Sequence, residues 1–363
     1  MTTTVNNKSE VVQSGTTISI DAMGGDLGPA AIVAGIVRVA QKNKRIHFLL
    51  HGQEEQLRKL VAKRQSLKGR VTIIDSVEVI KMEDKPSHVV RHGKATSMWS
   101  AIDSVRDGDA SVCVSCGNTG ALMAISMVRL RKLDGVNRPA IAILWPSSNP
   151  MGFNVMLDVG ADVRADPKDL LQYALMGVSY ARNGLGIAKP RVGLLNVGTE
   201  EHKGRSELKE AYSKIEHCQL EANFVFEGFV EGGDIPGSKV DVIVTDGFTG
   251  NVALKTAEGT ASLIGYLLRE AFRFSPLSKL ASILAFTSLN RFKMRIDPRR
   301  VNGGVFLGLN GTVVKSHGSA DATGIEAAIK LAFELSNNDF LQKVAARVAY
   351  AGAMDNDVYD DAN

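Results

Sequence analysis

The sequence predicts an α/β fold with a doubly wound, mostly parallel sheet and a protruding helical hairpin. Short runs rich in valine and isoleucine alternate with longer segments of helical periodicity along most of the chain. Many of these runs are apolar on both faces, which is typical of parallel strands covered by helices on both sides. One segment, 251–296, interrupts the alternation because it has the pattern of two successive helices without a strand between them.

The predicted elements follow one another from the N-terminus. A strand and loop at 17–25 precede a helix at 29–40, and a strand at 46–52 precedes a charged helix at 53–63. The next strand is "RVTIIDS", and later strands are predicted at "AIAILWP", "GFNVMLDVG", "RVGLLNVG", "NFVFEGFV" and "VDVIVTDG".

We predict one domain at 17–350, which includes the hairpin at 251–296. Residues 1–16 are predicted to be a mobile tail, because they lack the charged flank and apolar core of a signal peptide. Residues 351–363 are predicted to be a solvated acidic tail.

Composition excludes some classes of protein. The formal net charge of +4 on 363 residues is too small to indicate a nucleic-acid partner. Three cysteines are too few for a disulfide framework and favour a reducing, cytoplasmic compartment. Two charge-free stretches, 110–128 and 139–157, are interrupted by glycine or proline turns, so we interpret them as buried strands and not as membrane spans.

Six turns at predicted strand ends combine glycine with polar residues. Glycine lets the backbone approach an anion closely, and the N-terminus of the following helix supplies partial positive charge. Because the carboxyl ends of parallel strands share one edge of a sheet, we expect these turns to line a common crevice. The turns are 21–26, 116–120, 158–161, 196–200, 246–251 and 316–319.

Two of these turns repeat the pattern Gly-x-Thr-Gly after an apolar strand, at 117–120 and at 247–250. We expect the pair to direct two helix N-termini and two threonine hydroxyls into the crevice, where they would hold an anion. An ordinary tight turn is the alternative interpretation of each.

Motifs of several other enzyme classes are absent. The chain contains no G-x-G-x-x-G, no P-loop, no G-x-S-x-G and no H-E-x-x-H. Cys113 and Cys116 lack the further ligands that zinc requires. We interpret Asp158, Asp162 and Asp166 as capping and turn residues, with a metal cluster as the alternative. The prediction is therefore no metal and no cofactor.

The hairpin combines apolar and basic residues. Its first helix has one apolar face, and its second, after Ser275-Pro276, is apolar on almost every side until Phe286 and then basic. This combination suits a tip inserted into a bilayer above a base that contacts anionic headgroups, and burial against a dimer partner is the alternative. The predicted membrane-contacting residues are Leu277, Leu280, Ile283, Leu284 and Phe286.

Six segments, in this order and spacing, resemble the phosphate acyltransferase family of bacterial phospholipid synthesis, the PlsX family. They are "IDAMGGDLGP", "SCGNTGALMA", "LDVGADV", "VGLLNVGTEEHKG", "VTDGFTGNVALKTAEG" and "KSHGSADA", and the resemblance covers Ser19 to Leu335. Three features depart from the family pattern: Cys116 stands where alanine is expected, Asp162 where asparagine is expected, and Val305-Phe306 within the late glycine motif.

The resemblance implies a fold, an activity and partners. The fold is a Rossmann-like three-layer α/β/α sandwich, and the activity is reversible transfer of a fatty acyl group from acyl carrier protein to inorganic phosphate. The acyl phosphate would feed phospholipid (phosphatidic acid) synthesis through a membrane glycerol-3-phosphate acyltransferase. The resemblance also implies a homodimer in the cytoplasm, peripherally associated with the inner face of the cell membrane, with no nucleic-acid partner.

This chemistry explains the absence of a Ser-His-Asp triad. Phosphate is already ionised near neutral pH, and a thiol with a pKa of about 8.5 departs without a strong acid. The reaction instead requires donors that hold a dianion and stabilise an oxyanion. The candidate catalytic residues are Asn118, Thr249, Asn251, Lys203 and His317. The candidate phosphate- or substrate-binding residues are Gly24, Gly25, Gly117, Thr119, Gly120, Asp158, Asn196, Gly198, Thr199, Asp246, Gly247, Gly250, Gly318 and Ser319.

Acyl carrier proteins are acidic, so a cationic docking surface is expected near the acyl entrance. The basic residues of the hairpin are the candidates, and a merely solvated basic face is the alternative. The candidate docking residues are Arg269, Arg273, Arg291, Lys293 and Arg295.

Three other functions share some of these features. A short-chain phosphotransacetylase using coenzyme A would not need the long apolar hairpin. A non-catalytic membrane-associated scaffold would not need the polar glycine turns. A nicotinamide dehydrogenase should show nucleotide-binding motifs that the chain lacks.

Overall fold

The computed structural model describes residues 15–296, 303–336 and 340–347, with side chains described in the first range up to 292. The predicted acidic tail at 351–363 and almost all of the predicted N-terminal tail at 1–16 lie outside the described residues. The side chains of Lys293 and Arg295 lie outside them as well.

The described residues form an eleven-stranded sheet between two layers of helices. The strands are β1 (Thr16–Asp21), β2 (Ile46–Gly52), β3 (Val71–Asp75), β4 (Val112–Ser115), β5 (Ala140–Pro146), β6 (Phe153–Leu157), β7 (Arg191–Leu195), β8 (Val225–Val230), β9 (Val242–Val244), β10 (Gly304–Leu307) and β11 (Thr312–Lys315). The helices are α1 (Gly28–Lys42), α2 (Glu54–Ala62), α3 (Pro86–His92), α4 (Ser97–Arg106), α5 (Thr119–Arg129), α6 (Pro167–Leu185), α7 (Ser206–Cys218), α8 (Gly247–Arg273), α9 (Pro276–Leu284), α10 (Phe286–Ile296) and α11 (Ala322–Ser336), and 340–347 are also helical.

Alternation along the strands separates two hydrophobic clusters, one on each face of the sheet. In β5, Ala140 and Ala142 belong to the cluster that contacts α1, α6, α7 and α11. Ile141, which lies between them, belongs to the cluster that contacts α4 and α5. The structure therefore confirms the predicted α/β/α sandwich.

The strand order is β3-β2-β1-β4-β11-β10-β5-β6-β9-β7-β8, and two of the central strands are antiparallel to their neighbours. β10 is antiparallel to β11 and β5, and β5 is antiparallel to β6. Short connections at 147–152 and 308–311 join β5 to β6 and β10 to β11, and connections of this length can link only antiparallel strands. The sheet is thus mostly parallel, as predicted, but it consists of two parallel groups that run in opposite directions.

This arrangement brings the carboxyl ends of both groups to one level of the sheet. Lys315, the last residue of β11, is opposite Gly304 of β10, and the preceding Val314 is opposite Val305. Val305 pairs with Ala142 of β5, and the next residue of β5, Ile143, pairs with Met156 of β6. The ends of β11 and β6 therefore lie within about one residue of the same row, although the strands arrive from opposite sides.

The predicted hairpin consists of three helices instead of two. α8 ends at Arg273, and Ser275 then caps α9 by accepting a hydrogen bond of 3.1 Å from the amide of Ser278, with Pro276 at the first helical position. A further break at Ala285 separates α9 from α10. Within α8 only Gly247 and Gly250 are buried, and α9 buries no residue.

Candidate active site

A cavity of about 470 Å³ lies where the two parallel groups meet. One part of its lining is polar and comes from the turns after β4, β6 and β11 and from the first half of α8. The other part is apolar and comes mainly from β5, which continues beyond the level at which β10 begins. The polar side chains include Thr119, Asn251, Lys255, Glu258, Lys315 and His317, and the apolar ones include Ile141, Ile143, Leu144, Trp145, Pro146 and Leu254.

The turn after β6 is organised by a buried carboxylate. Asp158 Oδ1 accepts a hydrogen bond of 2.8 Å from the amide of Ile141, and Oδ2 accepts bonds of 2.9 and 2.7 Å from the amides of Ala161 and Asp162. Burial raises the pKa of Asp158 to about 6. Its carboxylate is thus engaged with the backbone, while the neighbouring Gly160 lines the cavity.

The start of α8 approaches this turn closely. A Cβ at Gly250 would lie 1.9 Å from the main-chain oxygen of Asp158, and one at Gly247 would lie 2.5 Å from Asp158 Oδ2. Only glycine permits this contact. These two glycines therefore bring the first turn of α8 to the end of β6, which places Asn251 in the cavity.

The two Gly-x-Thr-Gly turns are not equivalent. In the first, Asn118 caps α5 by accepting a hydrogen bond of 3.0 Å from the amide of Ala121, and Thr119 begins the helix and lines the cavity. In the second, Asp246 is the cap, and Thr249 donates its hydroxyl to Asp246 Oδ2 over 3.1 Å. The cavity thus receives a threonine from one turn and Asn251 from the other.

The carboxamide of Asn118 is occupied at both ends. Besides the cap, its Nδ2 donates to the main-chain oxygens of Met82 and Asp84 over 2.7 and 3.1 Å. Thr249 is similarly engaged. By contrast, Asn251 is exposed, and its side chain makes no hydrogen bond within the described ranges. Of the two predicted catalytic asparagines, Asn251 is thus the one whose carboxamide is available to a ligand.

The turn after β11 brings a lysine and a histidine to the cavity. Lys315 is buried, and burial lowers its pKa to about 8. His317 Nδ1 accepts a hydrogen bond of 3.2 Å from the amide of Ser319, so the neutral ring carries its proton on Nε2. Burial lowers the pKa of His317, and Nε2 lies 3.9 Å from Glu258 Oε1.

The turn after β1 supports the turn after β4. Asp21, fully buried, accepts hydrogen bonds of 2.7 Å from the hydroxyls of Ser97 and Ser115. A Cβ at Gly24 would lie 2.8 Å from the amide of Gly117, and one at Gly25 would lie 3.0 Å from the main-chain oxygen of Gly318. The predicted residues Gly24, Gly25, Gly117, Gly318 and Ser319 thus belong to loops beside the cavity, Gly120 lies in the first turn of α5, and none of them is part of the cavity lining.

The turn after β7 lies apart from the cavity lining. Lys203 pairs with Glu200 over 2.7 Å, and its main-chain oxygen accepts a hydrogen bond of 3.2 Å from Asn196. Arg205 pairs with Asp246, the cap of α8, and so connects this turn to the start of that helix. Gly198 and Thr199 lie in the same turn and, like Lys203, do not line the cavity.

Two residues that depart from the family pattern, Asp162 and Cys116, are both buried. Asp162 is buried and directed away from the cavity: it accepts hydrogen bonds of 2.9 Å from Arg138 and 3.1 Å from Tyr173. Its charge is therefore paired with Arg138, outside the cavity lining. The thiol of Cys116 is buried, and burial raises its pKa to about 11, so it carries no thiolate near neutral pH.

Three charged residues of the cavity, Lys255, Glu258 and Lys315, were not among the predicted site residues. Lys255 and Glu258 form an ion pair of 2.9 Å on α8 and line the cavity. One signal in the sequence favoured Lys315 as a site residue. It is a lysine at the end of an apolar strand beside a polar glycine turn, and lysine is rarely buried in a protein unless its charge is paired. In the described ranges, no group of three or more His, Cys, Asp or Glu side chains is arranged to hold a metal ion.

The family follows from comparison with known proteins. The family model described as "Fatty acid synthesis protein" matches residues 16–343. The chain belongs to this family. Among its relatives, a protein of Ruegeria pomeroyi named phosphate acyltransferase is 68% identical over 340 residues, which is 94% of this chain and 92% of the relative. One of the same name from Ruegeria sp. (strain TM1040) is 70% identical over 336 residues, covering 93% of this chain and 90% of the relative.

Solved structures extend the likeness of this chain to a wider fold. A phosphotransacetylase from Streptococcus pyogenes superposes with a TM-score of 0.57 at 18% identity, and the match covers 90% of this chain and 95% of that one. At this level of identity the two proteins share a fold, which by itself assigns no substrate. The family predicted from the six sequence segments is confirmed by the relatives.

Proposed function

We propose that this protein transfers a fatty acyl group from acyl carrier protein to inorganic phosphate and so forms acyl phosphate for phospholipid synthesis. The observation that carries the proposal is the cavity itself, which joins helix N-termini and cationic side chains to an apolar wall along β5. Such a site suits a substrate that is an anion at one end and a hydrocarbon chain at the other. Family membership and the name shared by the relatives support the same reaction.

Different residues of the cavity would bind the phosphate and the oxyanion. The N-terminus of α5 at Thr119 would bind phosphate, with the helix dipole favouring the dianion. Asn251 would donate to the oxyanion that forms on the thioester carbonyl. A phosphate oxygen bonds to the carbonyl carbon, the carbon–sulfur bond breaks, and the proton of hydrogen phosphate passes to the departing thiolate.

The remaining predicted residues would act around this centre. His317, with its proton on Nε2, would donate to a bound anion, since it lines the cavity. Asn118, Asp158 and Asp246 would hold the turn after β4, the turn after β6 and the start of α8, since their polar atoms are occupied by other groups of the protein. Lys203 would require a movement of its turn to reach a substrate, because it pairs with Glu200 outside the cavity lining.

A direct assay tests the proposal. Purified protein is incubated with long-chain acyl carrier protein and inorganic phosphate, and acyl phosphate is measured. We expect product formation that requires phosphate and continues in the presence of a chelator. Parallel reactions with acetyl coenzyme A and with long-chain acyl coenzyme A distinguish a short-chain phosphotransacetylase. Product from acetyl coenzyme A alone, or loss of turnover with chelator, would contradict the proposal.

The cationic residues at the end of α8 would bind the carrier. Arg269 and Arg273 are both exposed, one helical turn apart, at the end of α8 that leads to α9. We expect charge reversal of both (Arg269→Glu and Arg273→Glu) to raise the KM for the acidic carrier about tenfold and to leave the KM for phosphate unchanged. An unchanged KM for the carrier would show that these arginines are not part of the docking surface.

We propose that the apolar surface of α8 to α10 has two uses. On α8, Leu263, Tyr266 and Leu267 are exposed by at least half, and a second copy of the chain would cover them in a homodimer.

On α9, exposure is greater still, with Leu277, Ile283 and Leu284 exposed by 70% or more. These residues would contact the cytoplasmic face of the membrane, where a glycerol-3-phosphate acyltransferase would receive the product. Among the helices that the structure describes, none is long and apolar enough to cross a bilayer.

Replacing Leu280 and Leu284 by glutamate is expected to abolish co-sedimentation with anionic vesicles. Each leucine buried in lipid contributes about 1.5–3 kcal/mol, and a charged replacement opposes insertion. Both side chains are more than half exposed, so the assay in solution should be largely unaffected. The matched control is Leu220→Glu with Val77→Glu, two exposed apolar residues elsewhere on the protein. Vesicle binding that persists in the Leu280/Leu284 variant, or a loss of the dimer, would show that α9 has another role.

A further inference from the structure

Strand pairing fixes the position of Lys315 at the cavity. It is the last residue of β11 and pairs with Ser115 of β4 on one side and with Gly304 of β10 on the other. Alternation along β11 places it on the same face as Val313, the face that α5 and α8 cover. The side chain is therefore held among the turns that line the cavity, and Lys315 is 9% exposed.

Its charge is unbalanced in the described part of the chain. The Nζ of Lys315 donates to the main-chain oxygen of Ser316, and no described carboxylate lies within ion-pair distance of it. Asp21, one of the nearest acids, is occupied by the hydroxyls of Ser97 and Ser115. An ammonium has three donors, and burying it without a counter-ion is unfavourable. A buried lysine with spare donors in an open cavity indicates that an anionic ligand completes the ion pair.

We propose that Lys315 is the cation that binds the phosphate nucleophile. The phosphate dianion would supply the counter-ion that the Lys315 ammonium lacks among the described residues. The proposal rests on the proposed acyl transfer to phosphate and adds to it a residue outside the predicted catalytic set. Thr119, at the N-terminus of α5, lines the same cavity and would bind other oxygens of the same phosphate. One phosphate oxygen is then held by Lys315 while another attacks the carbonyl carbon.

The charges around Lys315 predict how phosphate affinity depends on pH. Burial lowers its pKa to about 8, Lys255 on α8 acts in the same direction, and Asp21, Asp26 and Cys116 oppose it. The ammonium is present below this pKa and is lost as pH rises through it, so phosphate binding weakens above about pH 8. His317 and Cys116 cannot produce this alkaline limb, since the pKa of His317 is lowered and that of Cys116 is raised to about 11.

The test compares Lys315→Met, Lys315→Arg and a matched control, Lys330→Met. Lys330 is an exposed lysine of α11 that pairs with Glu334 over 3.7 Å. For Lys315→Met we expect the KM for phosphate to rise about tenfold or more, with the KM for acyl carrier protein within about twofold of the wild type. Lys315→Arg should restore much of the phosphate affinity and remove the alkaline limb of kcat/KM, since guanidinium stays charged. The control should behave as wild type.

Calorimetric titration of the wild-type protein with inorganic phosphate, below and above about pH 8, keeps the proposal testable if Lys315→Met fails to fold. Binding that weakens across this range supports the proposal. Equal affinity at both pH values, or an unchanged phosphate KM in a folded Lys315→Met variant, overturns it. If phosphate binds in this way but no acyl phosphate is formed from acyl carrier protein, the assignment of Lys315 stands and the proposed acyl transfer fails.

Discussion

Asn251→Ala is expected to lower kcat about 10²–10³-fold, the usual effect of losing one oxyanion donor. Asn251 lines the cavity from the first turns of α8 and is exposed, and its side chain makes no hydrogen bond within the described ranges. Removing it should therefore leave the melting temperature nearly unchanged. The measurements are single-turnover kinetics with saturating acyl carrier protein and phosphate, and thermal unfolding of the same samples.

Asn118→Ala provides the contrast, since the carboxamide of Asn118 caps α5 and bonds to the loop at Met82 and Asp84. Loss of a cap of this kind costs about 1 kcal/mol, so this variant should show a lower melting temperature together with any loss of turnover. Wild-type kcat in Asn251→Ala would show that its carboxamide contacts no reacting atom. A lowered melting temperature in that variant would instead assign Asn251 a structural role.

Gly250→Ala is expected to destabilise the protein by about 3 kcal/mol or more and to remove activity. The new Cβ would lie 1.9 Å from the main-chain oxygen of Asp158, which is backbone and cannot rotate away as a side chain could. α8 must therefore separate from the turn after β6, and this displaces Asn251 from the cavity. Chemical denaturation and the acyl phosphate assay measure the two effects.

Gly259→Ala is the matched control for Gly250→Ala, because it makes the same change within the same helix. A Cβ at Gly259 would meet no described atom within 4 Å. Alanine there should stabilise the helix by roughly 0.5–1 kcal/mol, because glycine loses more backbone entropy on folding. Equal stability of the two variants would show that the contact between α8 and Asp158 is not tight in solution.

The sequence was sufficient to predict the sandwich but not the direction of its central strands. Valine-rich and isoleucine-rich runs show which segments are buried on both faces. A run such as "AIAILWP" has the same pattern whether its neighbour is parallel or antiparallel, because burial is equal in both cases. Direction is decided by the short connections at 147–152 and 308–311. The first joins two predicted strands and its length was visible in the sequence, whereas the second follows β10, which was not predicted.

The candidate site was predictable as a set of turns but not in its detailed roles. Glycine and a following helix can be recognised in a sequence, so the turns that carry Thr119, Asn251 and His317 were found. Whether a polar side chain faces the cavity or bonds to its own loop depends on tertiary contacts, as Asn118 and Thr249 show. Lys315 escaped prediction because burial of its ammonium depends on strand pairing with both β4 and β10.

The position of β10 and β11 determines when the site can form during synthesis. These strands come from the last fifth of the chain, yet they lie between β4 and β5 and connect the two parallel groups of the sheet. Without β10 and β11, the first nine strands can pair in the native order only as two separate groups, β3-β2-β1-β4 and β5-β6-β9-β7-β8. The later insertion of β10 and β11 between these groups forms contacts between residues far apart in the sequence, and the formation of such contacts is slow. It also brings Lys315 into place, so the proposed phosphate site is incomplete until the sheet is complete.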